Sequence, residues 1–360
     1  MRILHWTDDY LPKIGGAETF VRDLAREQMA MGHEVLVSAM AFPGAPDQEW
    51  MDGIRVVRHP VSHMQIQANP GLMGRILRTS QEIHKTFRPD VVHMHGHVPV
   101  PWLHLTRQPV AASPCVLTLH GPLEATDPGR LRLCHQVSVL VTVSEYLRNS
   151  LPPSLSDLAE KTVTIHNGVR WPSTSGGPAP ASGSVLLMLG RAIPEKGFDV
   201  AIRAMPSVPE ARLIIGGDGP SLGSLRALVQ ETGVGDRVDF RGWVPPDEVP
   251  ALINTCSTVV MPSRWQEPFG LVAVQAAQMA RPIIASNVGG LPEIVKHQET
   301  GLLIPAEDPL ALAHAVQYMI QHPTEANRMG KAAQERARSL FPISDCALAY
   351  QAAYEKSLAN

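Results

Sequence analysis

Short apolar runs alternate with segments of helical period along the whole chain. In the first half, runs of strand length cover residues 3–6, 34–40, 54–59, 91–95, 115–120, 139–144 and 163–166. Between the first two, Phe20, Leu24 and Met31 recur at helical spacing, and Gly32 is suited to end that helix. Strands that alternate with helices in this way are typical of βαβ units built around a parallel sheet.

The same pattern begins again after a segment without periodicity. Residues 171–184, WPSTSGGPAPASGS, are dense in Pro, Gly and Ser, which predicts a linker. Further strands are predicted at 185–189, 212–215, 238–241, 258–261 and 282–286, and residues 309–360 have a helical pattern. We therefore predict an α/β fold with two Rossmann-like domains, residues 1–170 and 185–340. Because ligands bind beyond the carboxyl ends of parallel strands, two such edges facing each other would share one cleft.

The composition and the net charge argue against general binding of this protein to nucleic acid or to anionic lipid. Of 360 residues, 44% are hydrophobic and 18% charged, and the net charge of −3 gives no general attraction to nucleic acid or anionic lipid. The four cysteines are far apart and show no metal-ligand spacing, which favours reduced thiols and a cytoplasmic protein. No apolar run approaches the roughly 20 residues that span a bilayer, and the chain starts directly with a strand.

Three loops could hold an anion. Gly15 and Gly16 precede the first helix, whose N-terminal amides favour negative charge, although a simple tight turn explains them equally well. Arg191 and Lys196 share one loop after residues 185–189 and would suit a diphosphate; the alternative is a solvated loop.

The third loop leads into a helix predicted over residues 272–280. Pro268 suits a first helical turn, and Gly270 would let a ligand approach the helix amides. Gln275 follows Glu267 by eight residues, or about 12 Å along a continuous helix. That span matches the separation of a sugar from a ribose across a pyrophosphate.

The order and spacing of many short motifs resemble the retaining GT-B glycosyltransferases of family 4, the "glycosyl transferases group 1" type, over essentially the full length. The matching segments are GGAE at 15–18, DVVHMH at 90–95, TLHG at 118–121, VSE at 143–145, HNGV at 166–169, Gly190 and Arg191 with Lys196 and Gly197, GGDGP at 216–220, Pro262 and Ser263, EPFGL at 267–271, and GGLPE at 289–293.

The resemblance implies roles for individual residues. Arg191 and Lys196 would bind the donor diphosphate and stabilise the leaving group, Glu267 would hold hydroxyls of the donor sugar, and His120 would contact that sugar; these four are the predicted catalytic residues. Further donor contacts would come from Gly15, Gly16, Gly217, Gly242, Val244, Ser263, Phe269, Gly270, Leu271 and Gln275. It also implies that a helix over residues 341–360 returns to the first domain.

The implied reaction is transfer of a hexose from a nucleotide-diphosphate sugar to an acceptor hydroxyl, with retention and without metal or cofactor. UDP is the preferred nucleotide, with dTDP, GDP and ADP as alternatives. The family's second acid is Gln275 here, which loses a charge-assisted hydrogen bond to the ribose and leaves a deoxyribose donor open. The competing functions are a silent nucleotide-sugar-binding subunit, an epimerase and a phosphorylase of the same architecture.

Other features stay open. His93, His95 and His97 alternate, yet no carboxylate or Cys completes a metal site, which favours structural or substrate-lining roles. A helix from Gly71 to Arg88 could rest on a membrane through apolar and basic residues, or pack on its own sheet, which we prefer. The loops at 43–51, 64–70 and 122–130 should select the acceptor, which could be a glycan, a lipid-linked glycan or a small molecule.

Overall fold

The computed structural model describes residues 1–13, 15–59, 61, 69–96, 113–173, 176–177 and 184–359. The chain divides into two compact units. The first contains Met1–Gly168 and Ile343–Asn360, and the second contains Val169–Pro342. His97, most of the predicted loop at 64–70 and part of the predicted linker lie outside the described residues.

The first unit is built on one sheet. Its strands are β1 (Arg2–Trp6), β2 (Glu34–Met40), β3 (Gln48–Met51), β4 (Ile54–His59), β5 (Val91–His95), β6 (Cys115–Leu119), β7 (Val139–Thr142) and β8 (Thr162–Thr164). The spatial order is β3-β4-β2-β1-β5-β6-β7-β8, and only β3 pairs in the antiparallel direction. Without β3, the chain runs outward from β1 in both directions, which is the doubly wound Rossmann order.

Within the described residues of the first unit, four α-helices connect these strands: α1 (Gly16–Ala30), α2 (Met73–Phe87), α3 (Pro128–Gln136) and α4 (Glu145–Asn149). Two of them begin with side-chain caps, because Asp127 accepts from the Arg130 amide and Ser144 accepts from the Leu147 amide. Ile76, Ile83 and Phe87 of α2 are buried in the core, so its apolar face is used by the sheet.

The second unit repeats the architecture. Its strands are β9 (Ser184–Leu189), β10 (Ala211–Gly216), β11 (Val238–Gly242), β12 (Thr258–Met261), β13 (Ile283–Ser286) and β14 (Gly301–Ile304). All are parallel, in the order β11-β10-β9-β12-β13-β14. Counted from β9, this is the order 3-2-1-4-5-6, so the direction of winding reverses between β9 and β12.

The helices of the second unit are α5 (Phe198–Ala204), α6 (Leu222–Glu231), α7 (Val249–Asn254), α8 (Leu271–Gln278), α9 (Leu291–Ile294), α10 (Pro309–Gln321) and α11 (Pro323–Leu340). The last helix, α12 (Ile343–Ala359), packs against α1 in the first unit through buried Tyr350 and Tyr354. None of the helices in the described ranges is long and apolar enough to cross a membrane.

The structure corrects the sequence prediction at three places. All twelve predicted strands are present, with ends shifted by at most two residues, but β3 and β14 were missed. Residues 48–51 were predicted as part of a loop, yet they pair with β4 at the sheet edge. The predicted helix at 272–280 runs from Leu271 to Gln278, because Gly270 adopts a left-handed φ of 117° that separates it from Glu267.

Candidate functional site

Three loops of the second unit converge where the winding of its sheet reverses, which is where open α/β sheets bind ligands. The loop after β9 carries Arg191 and Lys196, and the loop after β12 carries Ser263 and Glu267. The loop after β13 carries Gly289 and packs on the second of these loops. The predicted cations and the predicted acid therefore lie on the loops that follow β9 and β12, the two strands that flank the reversal.

Glu267 is the centre of this cluster. Its side chain is only 4% exposed, and its Oε1 accepts from Lys196 Nζ at 2.6 Å and from Ser263 Oγ at 2.7 Å. Within the described residues, its Oε2 accepts no hydrogen bond. The buried carboxylate is thus held in one orientation by a charge-assisted pair and still has an oxygen that can accept from a ligand.

Arg191 and Lys196 differ in how they are held. Lys196 is half-buried, pairs with Glu267 and lies 5.6 Å from the centre of the Trp265 ring. Arg191 is exposed, and its guanidinium makes no ion pair within the described part of the chain. The Lys196 ammonium is therefore held in place, whereas the Arg191 guanidinium is available to a ligand. Together they would give a diphosphate one point charge and one bidentate donor.

A second ion pair, which the sequence reasoning missed, joins the loop after β12 to the first turn of α5, which follows the loop after β9. Arg264 donates to both carboxylate oxygens of Asp199, and its amide donates to the Glu195 carbonyl at 2.8 Å. Its Nη1 also donates to the Pro194 carbonyl at 3.0 Å. The signal was present as a third basic residue near the cluster, but its partner lies 65 residues away in sequence.

The start of α8 has no side-chain cap. Its N-cap is Gly270, so the amides of the first turn lack the usual capping oxygen. Gly289 and Gly290 lie against the segment before the helix, and the Gly290 amide donates to the Glu267 carbonyl at 2.7 Å. Phe269 is 2% exposed and packs on Phe341, so only its backbone could serve the predicted donor contact.

Of the remaining predicted donor residues of the second unit, Gly217, Gly242 and Val244 lie at or just after the ends of β10 and β11, and Leu271 and Gln275 lie on α8. The Gly217 amide donates to the Gly242 carbonyl at 2.6 Å, which ties these two loops together. A side chain on Gly217 would overlap the Gly190 carbonyl, so the loop after β10 also touches the loop that carries Arg191. Val244, Leu271 and Gln275 are partly exposed. Glu267 lies outside α8, so the prediction that one helix runs from Glu267 to Gln275 was wrong.

The first unit carries the other predicted residues at its own carboxyl edge. Gly15 and Gly16 begin α1, and a Cβ atom on Gly15 would lie 2.4 Å from Glu18 Oε2. A carboxylate therefore stands at the helix N-terminus where an anion was predicted. His120 follows β6, is half-buried, and its Nε2 lies 3.1 Å from His95 Nδ1.

Asp8 is a residue of this edge that the sequence reasoning did not single out. It follows β1, and Gly96, which follows β5, lies beside it, at the reversal of the first sheet. Burial, together with the neighbouring charge of Asp9, raises the pKa of Asp8 to about 8. Near neutral pH this carboxyl can therefore donate as well as accept a hydrogen bond.

The loops after β9 and β12 approach each other closely at Gly197. Gly197 has a φ of 69°, and a Cβ atom there would lie 2.0 Å from the Pro262 carbonyl oxygen. We expect Gly197→Ala to lower the free energy of unfolding by about 1–3 kcal/mol, measured by denaturant titration. Gly223→Ala is the matched control, because it lies in α6 with no atom near its Cβ, and it should be neutral or stabilising. Equal losses from both variants would contradict the described contact.

Comparisons with known proteins agree with the geometry. The family described as "Glycosyl transferases group 1" matches residues 175–336, and "Glycosyltransferase Family 4" matches residues 14–170. Glycogen synthase of Mycobacterium tuberculosis is 30% identical over 98% of this chain and 94% of its own length. A GDP-mannose-dependent phosphatidylinositol monomannoside mannosyltransferase of Mycolicibacterium smegmatis is 28% identical over 92% of each chain.

Solved structures share the fold. Sucrose-phosphate synthase from Thermosynechococcus elongatus has a TM-score of 0.84 and 24% identity, with full coverage of both chains. HepE of Anabaena, solved with UDP and glucose, has a TM-score of 0.78 and 22% identity, over 97% of this chain and 98% of its own. At these identities the likeness concerns the fold alone, whereas the family matches and the glycogen synthase relative cover the sequence itself. The chain therefore belongs to the glycosyl transferases group 1 family, of the family 4 type, and is a glycosyltransferase.

Proposed function

We propose that this enzyme transfers a hexose from a nucleotide-diphosphate sugar to an acceptor hydroxyl, with retention of configuration and without a metal ion. The observation that carries the proposal is the buried Glu267 carboxylate, paired with Lys196 and Ser263 at the reversal of the second sheet. Named relatives with glycogen synthase and mannosyltransferase activity support the choice of a hexose.

The diphosphate would bind between the loop after β9 and the start of α8. Arg191 can offer a bidentate fork, Lys196 a point charge, and the first turn of α8 its uncapped amides. These groups are placed before the reaction begins, so they stabilise the negative charge that grows on the leaving diphosphate without further reorganisation. They also supply the positive charge for which other enzymes use a metal, which supports metal independence.

Glu267 would bind the sugar rather than act on the diphosphate. Its Oε1 is engaged by two donors, and its Oε2 can accept from a sugar hydroxyl. A retaining route needs no protein nucleophile if attack and departure use the same face of the sugar. The bond from the anomeric carbon to the phosphate oxygen breaks, the bond to the acceptor oxygen forms, and the acceptor's proton moves to the leaving phosphate.

The roles of Gly15, Gly16 and His120 in donor binding remain predictions from the family resemblance. The same holds for Gln275 at the ribose, for UDP as the preferred nucleotide and for the acceptor. HepE was solved with UDP-glucose, whereas the mannosyltransferase relative uses GDP-mannose, so relatives of this chain differ in the nucleotide they take. A membrane role for residues 71–88 gains no support, because Ile76, Ile83 and Phe87 of α2 are buried in the core.

A donor screen by thermal unfolding tests the proposal. The purified protein is heated with UDP-, GDP-, ADP- and dTDP-sugars, and release of the nucleoside diphosphate is measured alongside. We expect one donor to add about 2.7 kcal/mol of stability at a hundred times its dissociation constant. The matching nucleoside monophosphate, which lacks the second phosphate, should add clearly less. A preference for ribonucleotides would remove the deoxyribose donor, and no stabilisation by any sugar nucleotide would refute the proposal.

A further inference from the structure

Three histidines of the first unit are fully buried side by side. His5 lies on β1, directly opposite His93 on β5, and His95 follows two residues later on the same face of the sheet. They lie close enough together for one metal ion to reach all three rings. The catalytic proposal uses none of them, so their burial needs a reason of its own.

Hydrogen bonds already engage every ring nitrogen of the three. His93 Nδ1 lies 2.7 Å from the Tyr354 hydroxyl, and its Nε2 lies 2.8 Å from Thr118 Oγ1. His5 Nε2 lies 2.6 Å from Gln28 Oε1, and its Nδ1 lies 2.9 Å from His95 Nε2. Binding of a metal ion would break several of these bonds. We therefore interpret the cluster as a hydrogen-bonded network and not as a metal site.

One branch of this network reaches His120. It runs from Gln28 through His5 to His95, whose Nδ1 lies 3.1 Å from His120 Nε2. His95 and His120 also stack, with ring centres 5.4 Å apart. The branch therefore connects a side chain on α1 to the half-buried ring that follows β6.

The two histidines inside this branch are neutral. Burial lowers the pKa of His5 to about 4, and burial together with the neighbouring histidines holds the pKa of His95 well below its usual value. A neutral imidazole has one nitrogen that donates and one that accepts. If one nitrogen of such a ring donates, the other must accept. The direction of one hydrogen bond therefore determines the direction of the next bond along the branch.

The Gln28 amide sets the direction of the branch. Its Nε2 donates to the Tyr354 hydroxyl at 2.9 Å, and its oxygen faces His5, so His5 Nε2 must donate. His5 Nδ1 then accepts from His95 Nε2, and His95 Nδ1 accepts in turn from His120 Nε2. Turning the amide around would reverse each of these bonds.

We propose that Gln28, acting through His5 and His95, fixes a proton of His120 on Nε2, from which it is donated to His95 Nδ1. Gln28 is thus a positioning residue for His120. If His120 contacts the donor sugar, which rests on the proposed function, the proton on Nε2 is engaged by His95 and is not offered to the sugar. The tautomer itself can be measured without any substrate.

The test is a two-bond proton–nitrogen correlation spectrum of the full-length protein labelled with 15N-histidine. The His120 signals are assigned from their loss in His120→Ala. In the wild type, we expect the shifts of a ring protonated on Nε2. In Gln28→Met, which keeps the length of the side chain but removes both polar atoms, we expect the two nitrogen shifts of His120 to move toward each other as the tautomers mix.

Thr118→Val is the matched control. It removes the partner of His93 Nε2 two residues from His120, but it leaves the branch from Gln28 to His120 intact. We expect its His120 tautomer to equal that of the wild type. A wild-type ring protonated on Nδ1 would overturn the proposal even if Gln28→Met failed to fold, and so would equal changes in the two variants. Donor binding is measured separately, so loss of the proposed function would not be mistaken for loss of the tautomer.

Discussion

Replacing Lys196 with alanine is expected to lower turnover of the sugar nucleotide by roughly 10²–10³-fold, the cost of removing one fixed charge-stabilising donor from an active site. Lys196 is the cation that the structure holds in place, through Glu267 and beside Trp265. Because the diphosphate gains negative charge as it leaves, we expect kcat to fall as well as KM to rise. Release of nucleoside diphosphate from the donor identified by the screen is the measurement.

Two further variants make this result specific. Lys331 is an exposed lysine of α11 in the same unit, and Lys331→Ala should leave turnover unchanged. Lys196→Arg keeps the charge but replaces a compact ammonium with a planar fork, so a partial recovery is expected. Full activity in Lys196→Ala would show that Lys196 does not stabilise the leaving diphosphate.

The second large effect is expected from Glu267→Gln. The glutamine is similar in shape, but it removes the charge that pairs with Lys196 and weakens the hydrogen bond from Ser263. Hydrogen bonds to a charged group contribute about 1.5–3 kcal/mol. If the bound sugar loses this stabilisation in the transition state, kcat/KM falls by roughly 10- to 150-fold. Steady-state kinetics with the same donor measures it.

The free energy of unfolding shows whether Glu267→Gln lowers activity through sugar binding or through a loss of folded protein. Glu231 is an exposed acid of α6, and Glu231→Gln should change neither activity nor the free energy of unfolding. Glu267→Gln leaves a half-buried lysine without its partner, so a modest loss of stability is expected along with the kinetic effect. Wild-type kcat/KM in Glu267→Gln would show that the carboxylate has no role in sugar binding.

The sheets and most of the site could be predicted from sequence, because they depend on local patterns. Buried parallel strands produce continuous apolar runs, and the loops that follow them bear the glycines and charges. This is why Lys196, Ser263 and Glu267 could be singled out, although they lie on loops that follow different strands. Their order along the chain together with the doubly wound topology brings them to one edge.

Features that depend on pairing between distant segments could not be predicted. Strand β3 lies at a sheet edge with alternating exposure and lacks an apolar run. The Arg264–Asp199 pair joins a loop to a helix far apart in sequence, and the break at Gly270 depends on a backbone conformation. The assumption of one continuous helix from Glu267 to Gln275 failed for that reason, since glycine adopts the left-handed region readily.

The histidine network shows the same limit. The alternation of His93 and His95 correctly indicated one face of a strand, but nothing in the sequence near them pointed to His5 or Gln28. These come from β1 and α1, and Tyr354 comes from the last helix of the chain. Only the folded first unit brings them together, so the link from Gln28 to His120 is a property of the tertiary structure.

A crystal structure with the intact donor sugar nucleotide bound is the most direct test of the central claim. The account predicts diphosphate oxygens within hydrogen-bonding distance of Lys196 Nζ, the Arg191 guanidinium and the first amides of α8, with a sugar hydroxyl on Glu267. Density for the diphosphate at any other edge of the second sheet, with Lys196 and Glu267 still paired only to each other, would contradict it.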